Sequence, residues 1–223
     1  MKILVLGGTH FLGRHVVEQA RHRDHTVTLF NRGQTAPGLF PDVEELHGDR
    51  DGGLDALRGR HWDAVIDTSG YVPRIVRQSA ELLASFVSRY LFVSSISVYA
   101  DFHRTHIDET YPVGQVDDKT TEDVGQFYGP LKALCEQVVE AVYGERAVIV
   151  RPGLIVGPYD PTDRFTYWVR QFARGSHVLV PGSPDRPVQL IDGRDLASFM
   201  IDLLENRDSG VFNATGMRIA QRA

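Results

Sequence analysis

The sequence predicts an α/β protein built on a doubly wound parallel sheet. Strand-length apolar runs alternate with helical patterns from the N-terminus to about residue 150. Most of these runs, including 3–6, 64–66, 90–93 and 147–150, are apolar throughout and do not alternate with polar residues. A strand without a polar face is buried on both sides, which is typical of a parallel sheet covered by helices on both faces. Because crossover connections are right-handed, the helices are expected to cover both faces of one open sheet.

The elements of this sheet follow one another regularly. We predict strands at 2–6, 26–30, 43–47, 63–67, 90–93 and 147–150. We predict helices directly after Gly13, at 54–57, at 74–87 and at 124–143.

The chain after residue 155 has a different pattern, because it is rich in proline and its periodic segments are short. We predict helices at 162–174 and 196–204, with Asp192 as the N-cap of the second, and strands at 178–180, 188–191 and 211–214. This pattern divides the chain into a sheet domain at 1–155 and a small annex at 156–223. We expect the segment 211–214 to return to the main sheet.

Composition narrows the class of protein. The chain has 223 residues, of which 42% are hydrophobic and 24% charged, so a packed core is expected. The net charge of -5 argues against a general nucleic-acid-binding protein. A single cysteine, Cys135, precludes an internal disulfide and favours a reducing compartment. No apolar stretch is long enough to span a membrane. We therefore expect a cytoplasmic protein.

The first strand runs directly into a glycine turn, Gly7–Gly13, and then into a helix. Glycines allow the backbone to approach a ligand closely, and the free N–H groups at a helix start attract an anion. An ordinary strand–helix turn is the alternative. The position at the N-terminus favours the pyrophosphate site of a dinucleotide on a Rossmann fold. Contacts with this cofactor are predicted for Gly7, Thr9, His10, Phe11, Leu12 and Gly13.

The ends of the second and third strands are predicted to meet the same ligand. Asn31 and Arg32 follow the second strand, where the adenosine ribose lies in a Rossmann unit. No acid is present there to favour NAD, and Arg32 could pair with the 2′-phosphate of NADP. A solvent-exposed arginine is the alternative. Asp49 and Arg50 follow the third strand, where Asp49 could bind adenine or cap the start of the next helix.

Two later segments carry candidate chemistry. A serine-rich run, Ser94–Tyr99, follows the fifth strand at the end where ligands bind in such sheets. The alternative is that these serines bond local backbone. Tyr128 and Lys132 are four residues apart, which places them on one face of a helix. Pro130 indicates that this helix begins at about Tyr128, because proline is tolerated only in a first turn.

Together these segments resemble the extended short-chain dehydrogenase/reductases called the NAD-dependent epimerase/dehydratase family. The matching stretches are Gly7–Gly13, Gly48 with Asp49, Asp63–Gly70, Ser94–Tyr99, Tyr128–Lys132, Arg151–Pro158 and Asp192–Ala197. The glycine turn resembles that of a bacterial and plastid branch, which includes stem-loop RNA-binding proteins. His10 stands where the usual pattern has its middle glycine.

The resemblance implies roles for individual residues. Ser95 would hydrogen-bond the substrate oxygen, and Tyr128 would exchange a proton with that oxygen. Lys132 would hold the nicotinamide ribose and lower the pKa of Tyr128. The remaining cofactor contacts would be Thr68, Ser69, Gly70 and Pro152, and the substrate contacts would be Tyr71, Ser97 and Tyr99.

The expected function is NAD(P)-dependent oxidation, reduction or epimerisation of a carbonyl or hydroxyl on a small metabolite or sugar nucleotide. Ile96 and Ser97 replace the Asp-Glu pair of the sugar 4,6-dehydratases, so that activity is rejected. The alternative is a cofactor-sensing or RNA-binding protein on the same scaffold.

We also expect a partner chain and an incomplete substrate annex. The broad apolar faces at 74–87 and 124–143 suggest a homodimer, since relatives pair through the equivalent helices. Relatives continue beyond the position of Ala223, so the substrate annex is expected to be incomplete. No metal site is expected, because the pairs His22 with His25 and His103 with His106 lack a third ligand.

Overall fold

The computed structural model describes residues 1–175, 177–179, 182–183 and 187–220, with the backbone alone at 218–220. In these residues a parallel sheet of seven strands has the order β3-β2-β1-β4-β5-β6-β9. Its strands are β1 (Lys2–Leu6), β2 (Thr26–Asn31), β3 (Glu44–His47), β4 (Trp62–Asp67), β5 (Val87–Val93), β6 (Ala147–Pro152) and β9 (Gly210–Ala214). The predicted doubly wound parallel sheet is confirmed. Its order reverses between β1 and β4, which opens a crevice at their carboxyl ends.

A second, three-stranded sheet has the order β10-β8-β7. Its strands are β7 (Leu154–Val156), β8 (Pro187–Asp192) and β10 (Arg218–Ala220). The helices are α1 (Phe11–His22), α2 (Pro73–Leu83), α3 (Val124–Tyr143), α4 (Thr166–Ala173) and α5 (Gly193–Glu205).

Each face of the main sheet packs against a pair of helices. Val16 of α1 and Met200 of α5 belong to one fully buried cluster with Val5 of β1. Val76 of α2 and Val139 of α3 belong to the cluster on the other face. This two-sided burial explains why the central strands of the sheet consist largely of apolar residues.

Several predicted elements differ from the structure; for example, α4 begins at Thr166 and not at 162, and β5 begins at Val87 and not at 90. The helix predicted at 74–87 ends at Leu83, because Val87 already pairs with Trp62 as the first residue of β5. Val178 and Leu179 lie in no strand, and Val180 is outside the described residues. The strand β7 was not predicted, because three apolar residues after a glycine carry little periodic signal.

The segments that follow the annex helix α4 reach the main sheet. β9 pairs in parallel with β6, and α5 packs against α1. The side chain of Asp192 accepts a hydrogen bond from the Arg194 amide, so the predicted N-cap is confirmed. The division of the chain at residues 155 and 156 stays a prediction.

The helix α3 is interrupted near its start. Phe127 has non-helical dihedral angles, with φ -116° and ψ 31°, and Pro130 lies just after this kink. The break confirms the expectation that a regular helix starts near Tyr128, since proline is tolerated only in the first turn. At 20 residues, α3 is the longest described helix, and no described helix has the length and apolar character to cross a membrane.

Candidate active site

A cleft of about 920 Å³ lies over the carboxyl ends of the main-sheet strands. The turn after β1 forms its floor, and the ends of β2, β4, β5 and β6 form its walls together with the start of α3. Among the residues predicted for the site, those that line the cleft are Gly7, Thr9, His10, Phe11, Leu12, Gly13, Asn31, Arg32, Asp49, Arg50, Thr68, Ser69, Tyr71, Ser95, Ser97, Tyr128, Lys132 and Pro152.

The glycine turn brings backbone to the surface of the cleft. Gly8 has a φ of 100°, and a Cβ atom there would lie 2.6 Å from Cδ2 of Leu29. A Cβ atom on Gly13 would lie 2.7 Å from the backbone nitrogen of Gly8, so α1 packs directly on the turn. His10 is the N-cap of α1 with a φ of -125°, a value that needs no glycine. His10 is therefore compatible with this backbone.

The start of α1 has the features of an anion site. The His10 side chain makes no capping hydrogen bond, so it leaves the amides at the start of the helix available, apart from that of Gly13, which donates to the His10 carbonyl at 2.9 Å. The hydroxyl of Ser94, which also lines the cleft, is buried and has no hydrogen-bond partner among the described residues. Buried polar atoms are rarely left unpaired. A polar ligand in the cleft fits both features.

Ser95, in the turn after β5, and Tyr128, on α3, line the cleft. Oγ of Ser95 accepts a hydrogen bond from the Ser97 amide at 3.0 Å, which fixes the turn after β5. The Tyr128 ring is 36% exposed and lies 6.4 Å from the Tyr71 ring, centroid to centroid. Burial raises the pKa of Tyr128, although a hydrogen bond with Ser95 and the charge of Arg164 both lower it.

Lys132 is only 3% exposed, yet it lines the cleft. Its Nζ atom donates to the carbonyls of Gly70 at 2.7 Å and Val93 at 2.6 Å. An ammonium has three donors, so one remains for a ligand. Nζ also lies 4.2 Å from the centroid of the Phe92 ring. Burial lowers the pKa of Lys132 to about 8, against the charge of Asp67, which raises it.

One expected electrostatic effect differs from the structure. The resemblance implied that Lys132 lowers the pKa of Tyr128, but that pKa is raised. The ammonium points at two backbone carbonyls, and the burial of the phenol outweighs the favourable contribution of Ser95. The protein alone therefore keeps Tyr128 in its protonated form near neutral pH.

Asn31 and Asp49 line the cleft but use side-chain atoms within the protein. The Asn31 amide donates to Glu45 at 2.8 Å, and its oxygen accepts from the Gly33 amide at 2.6 Å. Oδ1 of Asp49 accepts from the Asp51 amide at 2.8 Å. This bond closes a local turn and is not the expected helix cap, since the N-cap of the next helical turn, Asp55–Leu57, is Leu54. The contact of Asp49 with adenine stays a prediction. Arg32 is exposed and makes no hydrogen bond or ion pair within the described chain.

Arg50 is tied into a buried network beneath the cleft. Its guanidinium forms a two-pronged ion pair with Asp67, which is completely buried. The hydroxyls of Ser79 and Tyr90 complete the network, at 2.9 and 3.3 Å from Nη2 of Arg50. Burial alone would lower the pKa of Arg50, but the charge of Asp67 raises it overall. This network holds the ends of β3 and β4 together, and a cofactor contact of Arg50 stays a prediction.

Two predicted site residues do not line the cleft. The carbonyl of Gly70 accepts a hydrogen bond from Lys132, but Gly70 is not among the residues that line the cleft. Tyr99 is 5% exposed, and its hydroxyl donates to Asn213 at 2.6 Å and accepts from Arg151 at 3.2 Å. The predicted contact of Tyr99 with substrate is therefore wrong for this structure, since its hydroxyl joins the loop after β5 to β9.

Several lining residues were not predicted. They include Phe30, Gln34, Thr35, Ile75 and Arg164. Gln34 and Thr35 follow β2 and could have been inferred from their position, whereas Arg164 lies in a proline-rich segment without a motif. Within the described part of the chain, no three His, Cys, Asp or Glu side chains are grouped so as to hold a metal ion.

Comparisons with known proteins agree with this geometry. The sequence profile of the NAD dependent epimerase/dehydratase family matches residues 3–215. The chain is 28% identical over 236 residues to the chloroplast stem-loop binding protein of 41 kDa b from Arabidopsis thaliana, a match that covers 96% of this chain. The chain spans 58% of the length of that relative.

Solved structures share the fold. The UDP-N-acetylglucosamine 4-epimerase from Bacillus cereus superposes with a TM-score of 0.76 and 21% identity, over 99% of this chain and 77% of the epimerase. The UDP-glucuronic acid 4-epimerase from Bacillus cereus, solved in complex with NAD, gives a TM-score of 0.76 and 17% identity, over 99% and 79%. Because the family profile covers nearly the whole chain, the chain belongs to the NAD dependent epimerase/dehydratase family.

Proposed function

We propose that this chain binds a nicotinamide dinucleotide and catalyses oxidation, reduction or epimerisation at a carbonyl or hydroxyl of a small metabolite or sugar nucleotide. One observation carries the proposal. Ser95, Tyr128 and Lys132 line the same cleft as the glycine turn and the uncapped start of α1. A phosphate site beside an acid–base group is what hydride-transfer chemistry requires of the protein. The epimerases with a similar fold, one of them solved with NAD, support the same assignment.

The residues have distinct proposed roles. The turn Gly7–Gly13 would hold the pyrophosphate, the third donor of Lys132 would bind a ribose hydroxyl, and Pro152 would border the nicotinamide. Bound there, the cofactor accepts or donates the hydride. Tyr128 would exchange a proton with the substrate oxygen, and Ser95 would donate a hydrogen bond to that oxygen. The contact of Ser95 with the Ser97 amide uses only its accepting capacity, so its hydroxyl proton would turn from Tyr128 to the substrate oxygen.

The proposal is tested by incubating the purified chain with NAD or NADP and a panel of alcohols, sugar nucleotides and carbonyl compounds. We expect a change in reduced-nicotinamide absorbance, or epimerised product, with at least one substrate class. Cofactor that binds outside the cleft, as judged by an unchanged affinity in a Gly8→Val variant that still folds, would contradict the proposal.

Arg32 is proposed to select NADP. Because its guanidinium is exposed and unpaired within the described chain, it is available for a 2′-phosphate. We expect Arg32→Ala to weaken NADP binding about tenfold, or ~1.4 kcal/mol, and to leave NAD binding nearly unchanged. Arg77→Ala, which removes an exposed arginine from α2, is the charge-matched control. Calorimetric titrations of both cofactors measure the effect, and tighter binding of NAD by the wild type would refute this preference.

Cofactor affinity should depend on pH through Lys132. Its pKa is lowered to about 8, so the ammonium is present below that pH and is lost above it. We expect the Kd of the cofactor to rise about tenfold between about pH 7 and about pH 9.5, as a charged hydrogen-bond donor is lost. The raised pKa of Tyr128 keeps that group protonated over this range. The Lys132→Met variant should lose the pH dependence, whereas Lys119→Met should retain it.

A second candidate function is RNA binding, and one observation favours it. The relative from Arabidopsis thaliana is named as a stem-loop binding protein. The net charge of -5 opposes this candidate. A titration with stem-loop RNA at increasing salt separates the two functions, because phosphate contacts give a steep salt dependence.

The predicted homodimer and cytoplasmic location stay proposals. The apolar side chains of α2 and α3 are mostly turned toward the sheet and toward each other. Among the described residues of these helices, Tyr128 is the large hydrophobic side chain that is clearly exposed. The structure therefore offers no broad apolar surface for pairing through them, and light scattering would measure the oligomeric state.

A further inference from the structure

The loop between β7 and α4 contributes a positively charged side chain to the cleft. Arg164 lies on this loop and lines the same cleft as Tyr128, Ser95 and Lys132. The two strands that precede it, β6 and β7, place the loop beside the reactive end of the cleft. The charge of Arg164 also lowers the pKa of Tyr128, which is consistent with their proximity.

Most hydrogen-bond donors of the Arg164 guanidinium have no partner among the described residues. Its Nε atom donates to Oγ1 of Thr162 at 2.7 Å, and no carboxylate pairs with it among the described residues. The adjacent acid, Asp163, lies 3.7 Å from Arg170 instead. Arg50 and Arg151, which lie deeper in the protein, are each paired with a carboxylate, whereas Arg164 is exposed. Arg164 therefore presents its remaining donors to the cleft.

The loop that carries Arg164 is fixed at several points. Oδ1 of Asp160 accepts from both the amide and the hydroxyl of Thr162, at 2.9 and 2.6 Å. The carbonyl of Pro158 lies 2.9 Å from Nε2 of His15, and the Arg14 guanidinium stacks 3.5 Å from the centroid of the Tyr159 ring. Both contacts join the loop to α1. A positioned cation loses less freedom on binding a ligand than a mobile one.

The charges that line the cleft are unevenly distributed. The acids among the lining residues, Asp49 and Asp51, follow β3 near the far edge of the sheet, and Asp51 is paired with Arg74. The reactive end contains Lys132 and Arg164, and no carboxylate lines it among the described residues. A cleft end of this composition attracts an anion.

We propose that Arg164 binds an oxyanion of the substrate, a carboxylate or a phosphate, and so holds the reacting carbon beside Tyr128. Arginine matches both groups, because its planar fork can donate two parallel hydrogen bonds to either. This inference rests on the proposed function and adds to it the charge class of the substrate and the residue that selects it.

The test uses calorimetric titration of the chain after saturation with NADP, so that the phosphate sites of the cofactor are filled. Orthophosphate and oxalate are the probes, one for each source of the oxyanion. We expect saturable binding of at least one probe, weakened about tenfold or more in Arg164→Gln. Arg174→Gln is the matched control, because it removes the same charge from an exposed position outside the cleft. The probe that binds more tightly identifies the group.

The outcomes distinguish the inference from the proposed function. If NADP binds but neither anion does, or if Arg164→Gln leaves anion binding unchanged, the inference is wrong and the proposed function stands. If both variants weaken anion binding equally, the effect is one of net charge and the inference is also wrong. If NADP does not bind at all, the proposed function fails and this inference fails with it.

Discussion

Replacement of Tyr128 by phenylalanine should lower kcat by roughly 100-fold to 10,000-fold, the usual contribution of a positioned acid–base group. The phenol is the only proposed proton donor to the substrate oxygen, and Ser95 cannot replace it because a serine hydroxyl is too weak an acid. Cofactor affinity should change little, since the ring and the Lys132 contacts are retained. Steady-state kinetics and a cofactor titration measure the two effects separately.

The control for this variant is Tyr167→Phe, which removes a hydroxyl from an exposed tyrosine on α4 outside the cleft. Its kinetics should match those of the wild type. Full activity of Tyr128→Phe would show that proton transfer occurs elsewhere. A loss of cofactor binding equal to the loss of activity would show that Tyr128 acts in binding and not in proton transfer.

Replacement of Asp67 by asparagine should lower the free energy of unfolding by about 3–5 kcal/mol, the range for breaking a buried ion pair from one side. Asp67 is completely buried, and the side chain of its partner Arg50 is 12% exposed. The variant would leave the guanidinium beneath the cleft without its counter-charge. Equilibrium unfolding in urea measures the change.

Asp51→Asn provides the comparison, because Asp51 pairs with Arg74 at the surface. Exposed ion pairs contribute little, so this variant should unfold at nearly the same urea concentration as the wild type. Equal effects of the two substitutions would mean that burial of the Arg50–Asp67 pair does not determine its contribution.

The main sheet could be predicted because strands that are buried on both faces consist largely of apolar residues. The main-sheet strands β1, β4 and β5 are largely apolar on both faces, and the glycine turn after β1 marks the first strand–helix unit. The end of α2 could not be predicted, because Phe86 and Val87 continue its apolar spacing while belonging to the turn and to β5. Local periodicity does not distinguish a helix end from the strand that follows it.

Residues that line the cleft could be predicted where they lie within two positions of a strand end, as do Ser95, Thr68 and Arg32. Tyr99 lies six residues after β5, and its hydroxyl is hydrogen-bonded to Arg151 and Asn213, two residues far away in the chain. Arg164 reaches the cleft only through the path of its loop. The pKa of Tyr128 depends on burial, which is a property of the packed structure and not of the Tyr-x-x-x-Lys spacing.

The most direct test of the proposed redox site is a crystal structure of this chain with bound NADP. We expect the pyrophosphate at the start of α1, the 2′-phosphate at Arg32, a ribose hydroxyl at Nζ of Lys132 and the nicotinamide ring facing Ser95 and Tyr128. A complex in which the nicotinamide lies away from Tyr128, or crystals that bind no nucleotide at millimolar concentration, would contradict the proposal.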